Sequence, residues 1–140
     1  MVNVIKTHNL FPTAIQEFEY VAEQKLINAI REEEIINNDA NFSKQSVDNN
    51  LMNKKEFKNL KNKILQTTKE VCKFYSYKYE KIDITNLWIN FTAKGTIHNP
   101  HSHSNNILSG VWFPFKNTSE ERRSISFNAK IDQNIYNVYE

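Results

Sequence analysis

Three of the four histidines in this 140-residue chain fall within six residues: His98, His101 and His103. His101 and His103 are one residue apart. On a strand, residues i and i+2 share a face, so both imidazoles could reach one metal ion. Imidazole suits iron, zinc, copper and nickel, and open positions on such an ion allow chemistry. A polar loop using the same rings for hydrogen bonds fits the spacing too. His98, three residues before His101, falls on the opposite face if the segment is a strand, and nothing in the pattern brings His8 near.

A second constellation lies further on, in Arg122-Arg123-Ser124. Arg122 and Ser124 are two apart, so a guanidinium and a hydroxyl share a strand face. A guanidinium matches a carboxylate bidentately, and a hydroxyl adds a further bond. An edge-strand arginine facing water is the plainer alternative. Trp88 and Asn90 likewise put a large apolar ring and an amide on one face, a pairing equally compatible with core packing.

The elements that must carry these residues are legible as a change of period. Val2 to Pro12 reads as extended. From about Thr13 to Ile36, Phe18, Val21, Ala22, Ile27 and Ile30 recur at helical steps, and Asn37 to Asn41 supplies turn chemistry. Phe42 to Asn50 reads as a polar loop. A second helix is expected from about Asn53 to Tyr75, with Phe57, Leu60, Ile64, Val71 and Phe74 on one stripe. The period then drops to two. Ile82–Phe91, Ile107–Phe113 and Glu121–Ile131 read as strands, with a turn over Pro114–Glu120. On the last strand Arg122, Ser124, Ser126 and Asn128 take one face, and Arg123, Ile125 and Phe127 the other. Helices first and strands second give the α+β class. No linker or repeat divides the chain, so a single domain over 1–140 is expected, helical over about 13–75 and β over about 82–131.

Composition narrows the function classes. Eighteen Lys and Arg against 16 Asp and Glu leave a formal charge of +2. That near balance argues against nucleic acid or a membrane surface as the organising partner. One cysteine, Cys72, excludes an intramolecular disulfide and a multi-cysteine zinc site. With no apolar run of membrane-spanning length and no basic, apolar leader after Met1, a cytoplasmic protein of a reducing compartment is expected. Only Gly95 and Gly110 are glycines, so positive-φ turns fall mostly to asparagine.

Taken in order, several segments resemble one family. They are Asn9-Leu10-Phe11-Pro12-Thr13, Gln45-Ser46, Trp88-Ile89-Asn90, Gly95, His101-Ser102-His103 and Ser109-Gly110-Val111-Trp112-Phe113. The run closes with Asn117-Thr118-Ser119-Glu120-Glu121-Arg122-Arg123-Ser124-Ile125-Ser126-Phe127-Asn128. This is similar to the iron(II)/2-oxoglutarate-dependent oxygenases of bacteria and phages, including those of marine cyanobacteria.

The resemblance implies a double-stranded β-helix, the jelly-roll or cupin-like sheet, with N-terminal helices packed outside it. It also implies cytoplasmic work in a bacterium or a phage-infected host, on a small-molecule or protein substrate. In that superfamily a His-x-Asp/Glu pair and a distal His hold iron(II), and an Arg with a Ser two residues on grips 2-oxoglutarate. His101 and His103 match the metal pair. Arg122 and Ser124 match the co-substrate grip, and Asn90 is a further co-substrate-binding candidate, while Arg123 stands where the family prefers an aliphatic residue.

Two departures set further expectations. His103 replaces the usual carboxylate, and Phe113 runs almost directly into Asn117 where the family has several strands and the distal His. No histidine follows His103. The chain therefore looks like an internally shortened member, with an incomplete jelly roll of about four or five strands. The strand around Val111 then becomes an exposed edge, which favours homo-oligomers. Two functions follow: an oxygenase, or a non-catalytic remnant that binds a metal or a partner.

Overall fold

The computed structural model describes residues 14–38, 43–93, 95–115 and 121–132. Within them the chain is α+β: two α-helices lie against one open, five-stranded antiparallel sheet. The helices are α1 (Gln24–Glu32) and α2 (Lys58–Phe74). The strands are β1 (Ile35–Asn38), β2 (Ser43–Ser46), β3 (Lys81–Ala93), β4 (Leu108–Trp112) and β5 (Glu121–Asp132), in the order β1-β2-β3-β5-β4. Residues 1–13, with the expected N-terminal strand and His8, lie outside the described residues, as does most of the turn over 114–120. Among the described residues no helix is long and apolar enough to cross a membrane.

The first expected helix, from Thr13 to Ile36, is corrected at both ends. Residues 14–23 have no regular secondary structure. Tyr20 and Ala22 pack on the core while Val21 between them is 92% exposed, a two-residue rhythm that belongs to extended chain. Tyr20 meets Trp112 with ring centroids 5.1 Å apart, so a tertiary contact overrides a weak helical pattern. The helix begins where Leu26 and Ile30, four apart, can both be buried, and Gln24 donates to Asn28 one turn on.

Glu33 leaves the helical region, and the chain enters a hairpin. Its two arms are β1 and β2, closing at Asn38 opposite Ser43. The polar loop expected over Phe42–Asn50 thus contains a strand. Ser-Lys-Gln-Ser carries no apolar alternation, and β3 supplies the missing signal. Lys44 and Gln45 pair with Phe91 and Asn90, and the Ser46 hydroxyl then accepts the Ile89 N–H at 3.0 Å. The second helix is shorter than expected at its start, where two 3₁₀ turns, Leu51–Asn53 and Lys55–Phe57, precede it. Its buried stripe is Leu60, Ile64, Thr68 and Cys72, and Phe74 is exposed.

The helices cover one face of the sheet. On β3 that face carries Ile84, Leu87, Ile89 and Phe91. The step of three between Ile84 and Leu87 comes from a bulge at Thr85, where the register against β5 slips by one residue. Each fully buried Leu or Ile here contributes about 1.5–3 kcal/mol. On β4 the same face carries Gly110, opposite Phe127, and a Cβ there would stand 2.3 Å from the ring tip. Glycine lets the Phe127 ring lie across the edge strand.

Among the described residues β4 pairs only with β5, and its neighbourhood from Ile107 to Phe115 bears no charge. Val111 and Phe113 are about half exposed. A neutral, apolar edge is a template for pairing. Val111→Lys is therefore expected to raise the concentration at which the chain stays monodisperse in light scattering, with little change in thermal stability. A wild-type chain already monomeric at high concentration would contradict this.

Candidate metal and carboxylate site

The opposite face of the sheet is polar. Register places Asn86, Trp88, Asn90 and Thr92 of β3 beside Asn128, Ser126, Ser124 and Arg122 of β5, in that order. Gln45 of β2 and Ser109 of β4 extend the rows on either side. Trp88 Nε1 donates to Asn90 Oδ1 at 3.0 Å, Asn90 Nδ2 donates to Ser126 Oγ at 2.7 Å, and Ser109 Oγ donates to Asn128 Oδ1 at 2.8 Å. Asn90, Ser124 and Asn128 are all buried. Core packing would not select this set, since buried amides and hydroxyls are costly unless hydrogen-bonded to one another.

The two consecutive arginines part company here. Arg123 points to the helices: its Nη1 donates to the carbonyls of Ile30 and Arg31 at 2.6 and 3.0 Å, satisfying the C-terminal end of α1. It also lies over the Phe91 ring at 5.2 Å. Arg122 stands on the polar face, in line with Ser124, its guanidinium 5.8 Å from the Phe113 ring centroid. The alternation expected for this strand holds, and it separates a structural arginine from a surface one.

The histidines sit on the connection that crosses this polar face. β3 and β4 run in the same direction on either side of β5, so residues 95–107 must return from the Ala93 end to the Ile84 end. Thr96 bonds back to the Ala93 carbonyl, and at the other end Thr85 Oγ1 donates to Asn106 Oδ1 at 2.6 Å. Asn105, at φ 62°, makes the last turn, as the scarcity of glycine leads one to expect. Between these ties His103 lies beside Trp88, with ring centroids 6.1 Å apart. Chain order runs His101 and His98 upstream, toward the end where Arg122 stands.

No strand forms over 95–103, so the two-face argument that set His98 apart does not apply. The rings follow one another: His103 to His101 is 4.7 Å between centroids, and His101 to His98 is 4.9 Å. His101 Nδ1 lies 2.8 Å from the Asn99 carbonyl oxygen. A carbonyl only accepts, so Nδ1 carries the proton in this contact, which leaves Nε2 as the ring nitrogen able to ligate a metal. Desolvation, then repulsion from His101 and His103, lowers the His98 pKa and favours its neutral, ligating form. As the rings stand, no group of three His, Cys, Asp or Glu among the described residues is arranged to hold a metal ion.

No family model, curated protein or solved structure matches the chain. The site is therefore read from its own residues. Of the sequence-derived candidates, Arg122, Ser124 and Asn90 stand on one face, and His101 and His103 stand on the loop that crosses it. His98, Ser126 and Asn128 join them. Hydroxyls and amides alternating with Ile125 and Phe127 were the available signal for the latter two. Cys72 plays no part: it is buried on α2, and burial pushes its thiol pKa up, which keeps it inert.

Proposed function

We propose that the polar face and its crossing loop form the site of an iron(II)- and 2-oxoglutarate-dependent oxygenase on a shortened jelly-roll sheet. One observation carries this reading. Arg122, Ser124 and Asn90 share the polar face with the histidine loop, while Arg123 is turned away into the helix end. The donor chemistry fits the group. Neutral imidazoles suit a divalent transition ion, and a guanidinium beside a hydroxyl suits a carboxylate.

His101 and His103 would hold the metal, with the Asn99 carbonyl fixing the His101 tautomer. Arg122 would take the distal carboxylate of 2-oxoglutarate, with Ser124 donating a second bond. Four residue steps of strand take the chain from Trp88 to Thr92, roughly 13 Å along β3, a gap that the Arg122 side chain and a five-carbon dicarboxylate share between them. Asn90, held by Trp88 and Ser126, keeps the floor between them polar and ordered. When bound, the pair supplies oxygen activation: 2-oxoglutarate and O₂ give succinate and CO₂, and a C–H bond of the substrate becomes C–OH.

A second reading, binding of metal and carboxylate without turnover, is favoured by the absence of a ready three-ligand group among the described residues. Anaerobic reconstitution with iron(II) and 2-oxoglutarate, followed by oxygen and succinate measurement, separates the two. The oxygenase reading expects succinate above the protein-free rate and loss of it in Arg122→Ala. No succinate from a chain that binds both groups leaves the binding reading.

A further inference from the structure

We infer that β4 is the interface of a symmetric homodimer, in which it pairs antiparallel with its own copy about Gly110 and joins two sheets into one. Among the described residues β4 pairs only with β5. The extended segment 14–23, which reaches Trp112 through Tyr20, forms no strand beside it. An edge of this kind takes a strand as its partner, because its backbone N–H and C=O groups point outward in a row.

The sequence of the strand is complementary to itself. A twofold axis between antiparallel strands sets opposite residues on the same face, and the register that pairs all five residues of β4 centres on Gly110. Leu108 then stands opposite the partner's Trp112, and Ser109 opposite the partner's Val111. One step beyond the strand, Ile107 stands opposite the partner's Phe113. Ile107, Val111 and Phe113 are 41%, 51% and 54% exposed, and by strand alternation they share the polar face. The pairing gathers them into one apolar strip, three side chains from each copy. From Ile107 to Phe115 there is no charge, so no like charges meet and none is desolvated. On the other face the Phe127 ring lies across Gly110, so one ring from each copy reaches toward the axis.

The assembly closes at two copies. The twofold uses the β4 edge of both chains, and Pro114, which has no N–H, ends the pairing run. The opposite edge, β1, has four residues and follows the exposed Glu32 and Glu34, which discourages further addition. The partner also reaches the proposed site. Phe113 supports the Arg122 guanidinium at 5.8 Å, and the partner's Ile107 gives that ring a packed neighbour. This last consequence rests on the carboxylate reading; the dimer itself does not.

The test is sedimentation equilibrium of the whole chain over a wide range of concentration. Wild type should pass reversibly from monomer to dimer, with nothing larger. Val111→Lys should weaken dimerisation tenfold or more, with an unaltered circular dichroism spectrum. Adding Ser109→Glu to Val111→Lys sets opposite charges across the axis in this register alone, and should restore part of the loss at low salt. A wild type that is monomeric at every concentration, as when another segment of the same chain takes the edge, would overturn the inference. So would species larger than a dimer, wild-type dimerisation by Val111→Lys, or no recovery in the double variant. Because no metal or co-substrate is present, failure of the oxygenase reading leaves this result untouched.

Discussion

Arg123→Ala should lower unfolding stability by about 2–4 kcal/mol, whereas Arg122→Ala, one residue away, should cost only about 0.5–1 kcal/mol. The asymmetry follows from what each guanidinium touches. Arg123 makes two charge-assisted bonds to the last carbonyls of α1, and its loss leaves those carbonyls without their donor and the helix end without a cation. Its cation–π contact with Phe91 goes as well. Arg122 is itself exposed, at the edge of the polar face, and its guanidinium lies over the Phe113 ring. Urea denaturation of the two variants checks this, with a midpoint shift of roughly 1–2 M for Arg123→Ala and a small one for Arg122→Ala. Equal shifts would contradict the division of labour between the two faces.

The double change His101→Ala and His103→Ala should weaken zinc(II) binding at neutral pH by 100-fold or more while leaving the fold intact. Both rings sit on the crossing loop, and only His103 has a packed neighbour in Trp88, so the stability cost should stay near 1 kcal/mol. Calorimetric titration measures the binding. Affinity in the wild type should also fall as pH drops through the imidazole range, because protons then compete for the ligand nitrogens. Undiminished zinc binding by the double variant would move the metal to another part of the chain.

Strands β3 and β5 were legible because each alternates apolar and polar residues over enough length to declare its face, and β4 because Ile107–Phe113 is a short, mostly apolar run. The split between Arg122 and Arg123 followed from that alternation alone. The hairpin of β1 and β2 was hidden because its residues are mostly polar, and its burial comes from pairing with β3 rather than from its own side chains. Residues 14–23 misled for the opposite reason. Phe18 and Val21 look like a helical stripe, yet Tyr20 and Ala22 make the contacts. At the site, treating the histidine segment as a strand kept His98 apart from His101. Pro100 and the turn at Asn105 make it a folded loop, and in a loop a separation of three carries no rule about faces.

The central claim is that the polar face holds a dicarboxylate through Arg122 beside a metal held by the histidine loop. Its most direct test is calorimetric titration of 2-oxoglutarate into the iron(II)-loaded chain without oxygen, comparing wild type with Arg122→Gln. The account predicts one equivalent bound by wild type, at least tenfold weaker binding in Arg122→Gln, and no binding by either protein when the metal is removed. Failure of the metal-loaded wild type to bind 2-oxoglutarate, or equal binding by Arg122→Gln, would contradict it.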